Sequence, residues 1–561
     1  MKISSLVFAT ALFFAGAAVP SRADSDSLKT DSDPATAGAH AAAKGDILLE
    51  TLLTELERSK AQLKMEHVDR PYYIEYRVSD VDDFGAEAAF GALRDAQRVH
   101  VRVLRVVVRV GDYKQDSFFG QSLGETTILP LDDDPIALRH QIWLATDDAY
   151  KAAGEGLAEK QAALKQFSAD PNPVDDFAKA PVVTAVEPTV KLQLDEASWK
   201  STLQDVTNLY RGYPDVQSVT ASARFSAIND YFVNSEGTVT RGGKATYSVQ
   251  LSSVAQAPDG MRLGRSPAWT VARAEELPTR EKLLAETKTM LETVIALRQA
   301  PIVEEDYRGP VLFAADAADD VVASLIGQNI LGRKPQLGKP NRTVGAFATS
   351  YKTRVLPNFI TIVDDPTLKD FEGKSLVGSY AVDSEGVKAQ PVNVIENGTL
   401  SNYLVGRQPI RDFSSSNGHG RSAPGASPAP SLGVLVVKSS EGQSPGVLKQ
   451  RVVEMVTEQS KPYGYRVDTM GGTTPRLLYR VYAKDGHEEL VRGAVFSELD
   501  VRALRSDLVA VGNDPLVSNR IGGVSSTIIS PSLLFDELEV KRADTSKEKL
   551  PDYPAPPLTK K

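Results

Sequence analysis

The sequence predicts an α+β fold, and three observations predict it. Amphipathic helical stretches and period-two strands occur in mixed runs, without the regular strand–helix–strand beat of a parallel sheet. The chain has 561 residues, 42% hydrophobic and 24% charged, which is enough for two or more domains. A second set of strands and helices opens after residue 300, behind an amphipathic helix at 281–300.

Each element has a local reason. Residues 1–23 read as a signal peptide: Lys2 supplies a positive start, "LVFATALFFAGAAV" is a short apolar core, and Ser21-Arg22-Ala23 offers small residues for cleavage. This implies export, to the periplasm or medium, with membrane contact only through that segment. Residues 24–45 are polar and small, as in a flexible linker. Asp46 caps a helix whose stripe is Leu49, Leu52, Leu53 and Leu56. Residues 98–112 alternate valine with histidine and arginine, as in a strand with one solvated face. A helix follows from Pro135 to about Phe167, after the capping run Asp132 to Asp134, and residues 168–190 form a loop rich in proline and aspartate.

Residues 218–260 give several strands, with turns expected at Ser235-Glu236-Gly237 and at Gly242-Gly243. Beyond residue 300 a strand at 311–313 leads into "VVASLIGQNILGRK", Val321 to Lys334, which reads as a buried helix through Val322, Leu325, Ile326 and Ile330. Asn397-Gly398 between two strand-like runs predicts a tight hairpin, since a type I′ turn needs positive φ at both positions. Residues 414–431 form a long loop of Ser, Gly, Pro and Ala; loops of that length are usually functional or disordered. A helix at 445–459 and further strands run to about 542, and residues 543–561 read as a tail.

Composition excludes several functions. The formal net charge is −9, so no general electrostatic attraction to nucleic acid is expected. There are no cysteines, which removes disulfides, thiolate metal ligands and cysteine nucleophiles. "GQSPG" (442–446) has the spacing of a nucleophile elbow, but Pro445 lacks the N–H that an oxyanion hole takes from that position. Ser444 as N-cap with Pro445 as the first helical residue explains the same pattern. The histidines His40, His67, His100, His140, His419 and His487 form no local metal pair. His419 has the most site-like setting, in the glycine-rich loop, although a solvated loop histidine is the simpler expectation. Asp364 and Asp365 read as a turn with an Asx cap before they read as a carboxylate pair.

The ordered set "GPVLF", a helix with internal glycine, "DDPTL", "DSEGV", "VIENGTL" with "YLVGR", and "NGHGR" resembles the C-terminal region of the TldD/TldE family, also called PmbA, modulator of DNA gyrase or peptidase U62. "VNSEG" and the helix before residue 300 fit the family's N-terminal domain, so the resemblance spans roughly residues 46–542. It implies a two-domain architecture (46–300 and 301–542) with mixed, mainly antiparallel sheets and flanking helices.

In that family TldD is a zinc peptidase with an HExxxH helix and a later cysteine, and TldE is a partner without the motif. Laid on Gly327 and Gly332, the ligand and base positions here are Ala323, Ser324 and Gln328. Alanine cannot ligate zinc, a neutral amide is a poor ligand, and the cysteine does not exist. The third-ligand segment corresponds to "SNRIGGVSSTIISP" (518–531). The resemblance therefore implies a TldE-like chain without its own cofactor, zinc being expected in a TldD-like partner. It also implies an unfolded peptide as substrate, with Asn417, Gly418, His419, Asp364 and Asp365 as candidate peptide contacts. An active peptidase with a nonstandard site, and a self-associating peptide-binding scaffold, stand as the other readings.

Overall fold

The computed structural model describes residues 34–167, 173–339, 341–472 and 474–544. The expected signal segment lies outside them, as do most of the expected tail and the start of the expected linker. The rest of that linker is not loose: Pro34–Ala43 forms helix α1, and its Ala39 and Ala43 are buried beside the next helix. Small residues permit that close packing. No helix among the described residues is long and apolar enough to cross a membrane.

The first half is one eight-stranded sheet. Its strands are β1 (Tyr73–Ala89), β2 (Ala92–Arg109), β3 (Glu125–Leu129), β4 (Thr184–Val186), β5 (Val216–Asn234), β6 (Val239–Gln256), β7 (Arg262–Arg265) and β8 (Ala268–Val271). The order is β3-β2-β1-β5-β6-β4, with β7 and β8 also on β6. Gly242 and Gly243, expected in a turn, lie inside β6 opposite Asp230 and Asn229. The Asn229 amide there holds Val190 through its N–H (2.7 Å) and C=O (3.0 Å), so the glycines sit beneath a crossing segment.

Helices α2 (Ile47–Gln62), α3 (Pro135–Leu164), α4 (Glu196–Asn208) and α5 (Arg280–Gln299) cover one face of this sheet. Leu49 and Leu52 of α2 and Ile142 of α3 meet Tyr76, Val78, Leu104 and Val106, while Leu203 and Leu283 meet Phe84 and Phe225. Their starts are capped as the sequence suggests: Asp46 accepts from Leu49 N–H, and Asp134 from Ile136 N–H.

One face was expected to be solvated along residues 98–112, and here the structure corrects the sequence reading on the face opposite the helices as well as on the one beneath them. Arg105 and Arg109 on the face opposite the helices are buried, as is Arg102 on the helix-covered face, whereas Val99 is exposed. Period two marks two faces correctly but does not say what covers the second. Arg105 binds the 423–427 loop of the second half.

The second half contains β9 (Tyr307–Phe313), helices α6 (Ala315–Val321), α7 (Pro445–Glu458) and α8 (Val501–Ser506), and two large sheets. The six-stranded sheet runs 399–400, 392–396, 360–364, 434–439, 526–530, 516–520. The seven-stranded sheet is built around 463–471, β9 and 533–542. A shared core lies between them, where Phe313 and Val467 belong to the same cluster as Ile326, Ile362, Leu435 and Ile528. Helix α7 packs on the outer side through Leu448, Val452 and Val456, with Ser444 capping and Pro445 first, as the sequence indicates. The expected hairpin is present, with φ of 47° at Asn397 and 77° at Gly398. Most pairings are antiparallel, and a few are parallel, including 434–436 with 527–529.

Candidate functional site

The segment Val321 to Lys334 is not one regular helix. The helix begins earlier, at Ala315, and passes into a π turn over Val322–Gly327. Chain beyond Gly327 turns away, and Leu331 bridges Leu404 in parallel. Insertions of this kind are frequent at functional positions. The two glycines have a packing reason. A Cβ on Gly332 would stand 2.5 Å from Val405 Cγ1 and 3.2 Å from the Leu404 carbonyl; one on Gly327 would stand 3.0 Å from Leu432 Cδ1.

The polar groups of this segment are satisfied locally. Ser324 Oγ donates to the Asp320 carbonyl (2.7 Å). Asn329 donates to the Leu325 carbonyl (2.8 Å) and accepts from Ala346 N–H (2.7 Å). Ser324 and Gln328 are exposed, and Ala323 is partly buried against the core.

The segment expected to carry the third ligand does lie against this helix, as the hairpin 516–530. Arg520 on that hairpin binds both Asp319 (Nε 3.0 Å) and Asp320 (2.7 Å) of α6. The residues present do not fit zinc: a methyl, a hydroxyl already bonded to backbone and a neutral amide occupy the three aligned positions, and a guanidinium holds the hairpin. Among the described residues no group of three His, Asp or Glu side chains converges as a metal site would require. Burial raises Asp319 to about 6 against the opposing pull of Arg520, and one of its oxygens has no hydrogen-bond partner.

The other quoted motifs converge elsewhere, on a buried polar seam between the halves. Asp364 ends its strand fully buried and accepts from Gly433 N–H (3.0 Å) and Val434 N–H (3.1 Å). His419 is also fully buried, with Nε2 3.2 Å from Asp364 and Nδ1 3.0 Å from the Asn417 carbonyl. The structure thus brings two of the five candidate contacts together, but inside the protein. His419 is not a solvated loop residue, and neither it nor Asp364 is placed to touch a peptide. Asn417 and Gly418 brace the loop: the Asn417 side chain accepts from Val405 N–H (2.9 Å), and the Gly418 carbonyl accepts from Tyr380 (2.8 Å). Asp365 stands apart in the expected Asx turn, bonded to Thr367.

Arg407, the last residue of "YLVGR", was missed as a site residue. It is fully buried, binds the Ala178 carbonyl (2.7 Å) and Glu236 (2.8 Å), and lies 4.1 Å from the Phe177 ring centre. Glu385 of "DSEGV" accepts from Arg407 N–H (2.6 Å). Asp383 accepts from Glu385, Val387 and Gly420 N–H, each at 2.9 Å. Burial, then the charge of Glu385, pushes Asp383 well above the usual carboxylate range. Arg77 from β1 completes the seam by binding the Ser384 (3.3 Å) and Ala426 carbonyls. The motif positions of Arg407 and Glu385 were a signal for them. For Asp230 and Lys244, on the sheet opposite, the sequence held none.

Comparison with known proteins agrees with this architecture. Residues 306–542 match the family described as the PmbA/TldA metallopeptidase C-terminal domain. A metalloprotease of Methanothermobacter thermautotrophicus is 24% identical over 245 residues, which are 42% of this chain; the match spans about half (47%) of that relative's length. A proposed modulator of a DNA gyrase from Thermotoga maritima superposes with a TM-score of 0.59 at 16% identity, covering 87% of this chain and 99% of that one. TldE from Thermococcus kodakarensis gives 0.56 at 15% identity over 88% and 99%. At such identities the structures speak for the fold, and the matched domain speaks for descent. Residues 306–542 thus match the PmbA/TldA metallopeptidase C-terminal domain, and the chain shares its fold with these solved structures.

Proposed function

We propose that this chain is an exported, non-catalytic, TldE-like subunit that pairs with a zinc-bearing TldD-like peptidase and helps it hold unfolded peptide. One observation carries the reading: the aligned ligand and base positions hold Ala323, Ser324 and Gln328, and Ser324 is engaged with the Asp320 carbonyl. The Arg520 contacts with Asp319 and Asp320 support it further, because an ion pair now ties the hairpin to the helix. Extended peptide would be bound by strand addition, in which main-chain hydrogen bonds supply affinity without sequence preference. The Arg520 strand, which among the described residues pairs with one neighbour in its sheet, offers such an edge.

Co-expression tests the pairing. The chain should co-purify with an HExxxH-bearing relative from its own genome, and the pair should degrade unfolded peptide in a chelator-sensitive way. A relative that is fully active alone and never associates with this chain would contradict the proposal.

A further inference from the structure

The seam lines a partly open cavity of about 380 Å³. Its walls come from β1, β5 and β6 on one side, and from residues 376–384 with Arg421 on the other. It does not open on the motif helix. Ile326 packs with Leu435 and Ile528 on one face of the six-stranded sheet; Leu376, at the cavity, packs with Val434, Val436 and Ile529 on the other.

Antiparallel register sets the key side chains. Asp230 pairs with Gly242, so Lys244, two residues along β6, lies on the same face. Asp230 is accessible from the cavity, and its Oδ1 accepts from Ser79 Oγ (2.6 Å). Lys244 donates to the Val377 carbonyl from across the seam. Neither forms an ion pair with the other or with any described residue. Arg421 lies over Tyr380 at 4.4 Å and spends Nη1 on the Leu432 (2.6 Å) and Ser525 (2.7 Å) carbonyls. Phe232, Leu376 and Val377 supply an apolar wall.

Asp230 and Lys244 are opposite charges that face this partly open cleft without pairing with each other. They suit a molecule that brings both charges itself. We propose that this cavity binds a free α-amino acid with an apolar side chain. Its ammonium faces Asp230, its carboxylate faces Lys244 and Arg421, and its side chain lies toward Phe232 and Leu376. The volume falls at the small end of ligand pockets, as such a ligand requires. Burial and then Arg421 lower Lys244 to about 7, with Asp230 opposing, so an arriving carboxylate draws a proton onto the amine. The proposal is independent of whether the chain has a peptidase partner.

Calorimetric titration of the full chain tests it, with L-leucine, N-acetyl-L-leucine and L-leucinamide as probes, in two buffers of different ionisation enthalpy. Leucine is expected to saturate in the millimolar range or below, with proton uptake at neutral pH. Each blocked analogue should bind about tenfold more weakly or worse. Asp230→Asn should bring leucine and N-acetyl-leucine to similar affinity, and Lys244→Met should weaken leucine about tenfold, with unchanged circular dichroism. The analogue comparison uses the unaltered chain, so it stands even where a variant fails to fold. N-acetyl-leucine binding as well as leucine, or no saturation by leucine at about 20 mM, overturns the proposal.

Discussion

Asp364 shows how much one carboxylate can organise. It ties the end of its strand to two successive backbone N–H groups of the neighbouring strand and to His419 fifty-five residues away. Replacing it by alanine strands those donors in a fully buried place. Asp364→Ala should therefore cost about 3–5 kcal/mol in denaturant unfolding, with His419→Ala smaller. Lys244 gives a pH signature instead. Its folded value of about 7 lies below the ordinary lysine value, so the unfolded chain binds the extra proton between about 7 and 10.5. Stability must then rise with pH in that window, by up to about 1.4 kcal/mol per pH unit from this group. Stability curves of the wild type and Lys244→Met from pH 7 to pH 10 should differ by this slope; parallel curves would refute the assignment. Burial and then the charge of Arg421 lower the amine, and Asp230, the opposite charge facing it, opposes them.

At the scale of elements, the motif helix and its hairpin form a unit held by arginine. Arg520→Ala should destabilise by about 1–3 kcal/mol, since it removes the partner of a buried carboxylate. Amide hydrogen exchange should quicken first in 516–530, and uniform protection there would contradict the role. The glycines offer a paired test. Gly332→Ala must push Val405 and the Leu404 backbone, and should cost about 1–3 kcal/mol. Gly446→Ala in α7 meets nothing within 4 Å and should be neutral or mildly stabilising.

What was legible in the sequence also divides at this scale. Helices such as α2 and α5 announced themselves because their stripes and caps are local, and the Asn397-Gly398 turn because its backbone demand is local. The burial of Arg102, Arg105 and Arg109, the π turn at 322–327 and the seating of His419 were not legible. Several depend on a partner far away in the chain: the 423–427 loop for Arg105, Leu432 for Gly327, Asp364 for His419. The residues at the proposed ligand positions were legible, since side-chain chemistry is read directly. The ion pair beside them was not.

Across the whole molecule, the motifs that mark the family serve chiefly to join its two halves. Arg407, Glu385, Asp383 and Arg421 lie on a seam whose other side is the first sheet's polar face, and the motif helix lies on the far side of the second sheet. On the proposed reading a chain loses its metal ligands and keeps its architecture, because separate residues maintain each. That separation is the central claim, and the zinc content of the purified, freshly dialysed chain tests it most directly, measured together with hydrolysis of an unfolded peptide. The account predicts far less than one zinc per chain and no chelator-sensitive hydrolysis by this chain alone. One tightly held zinc per chain, with peptide hydrolysis lost on chelation and restored by zinc, would contradict it.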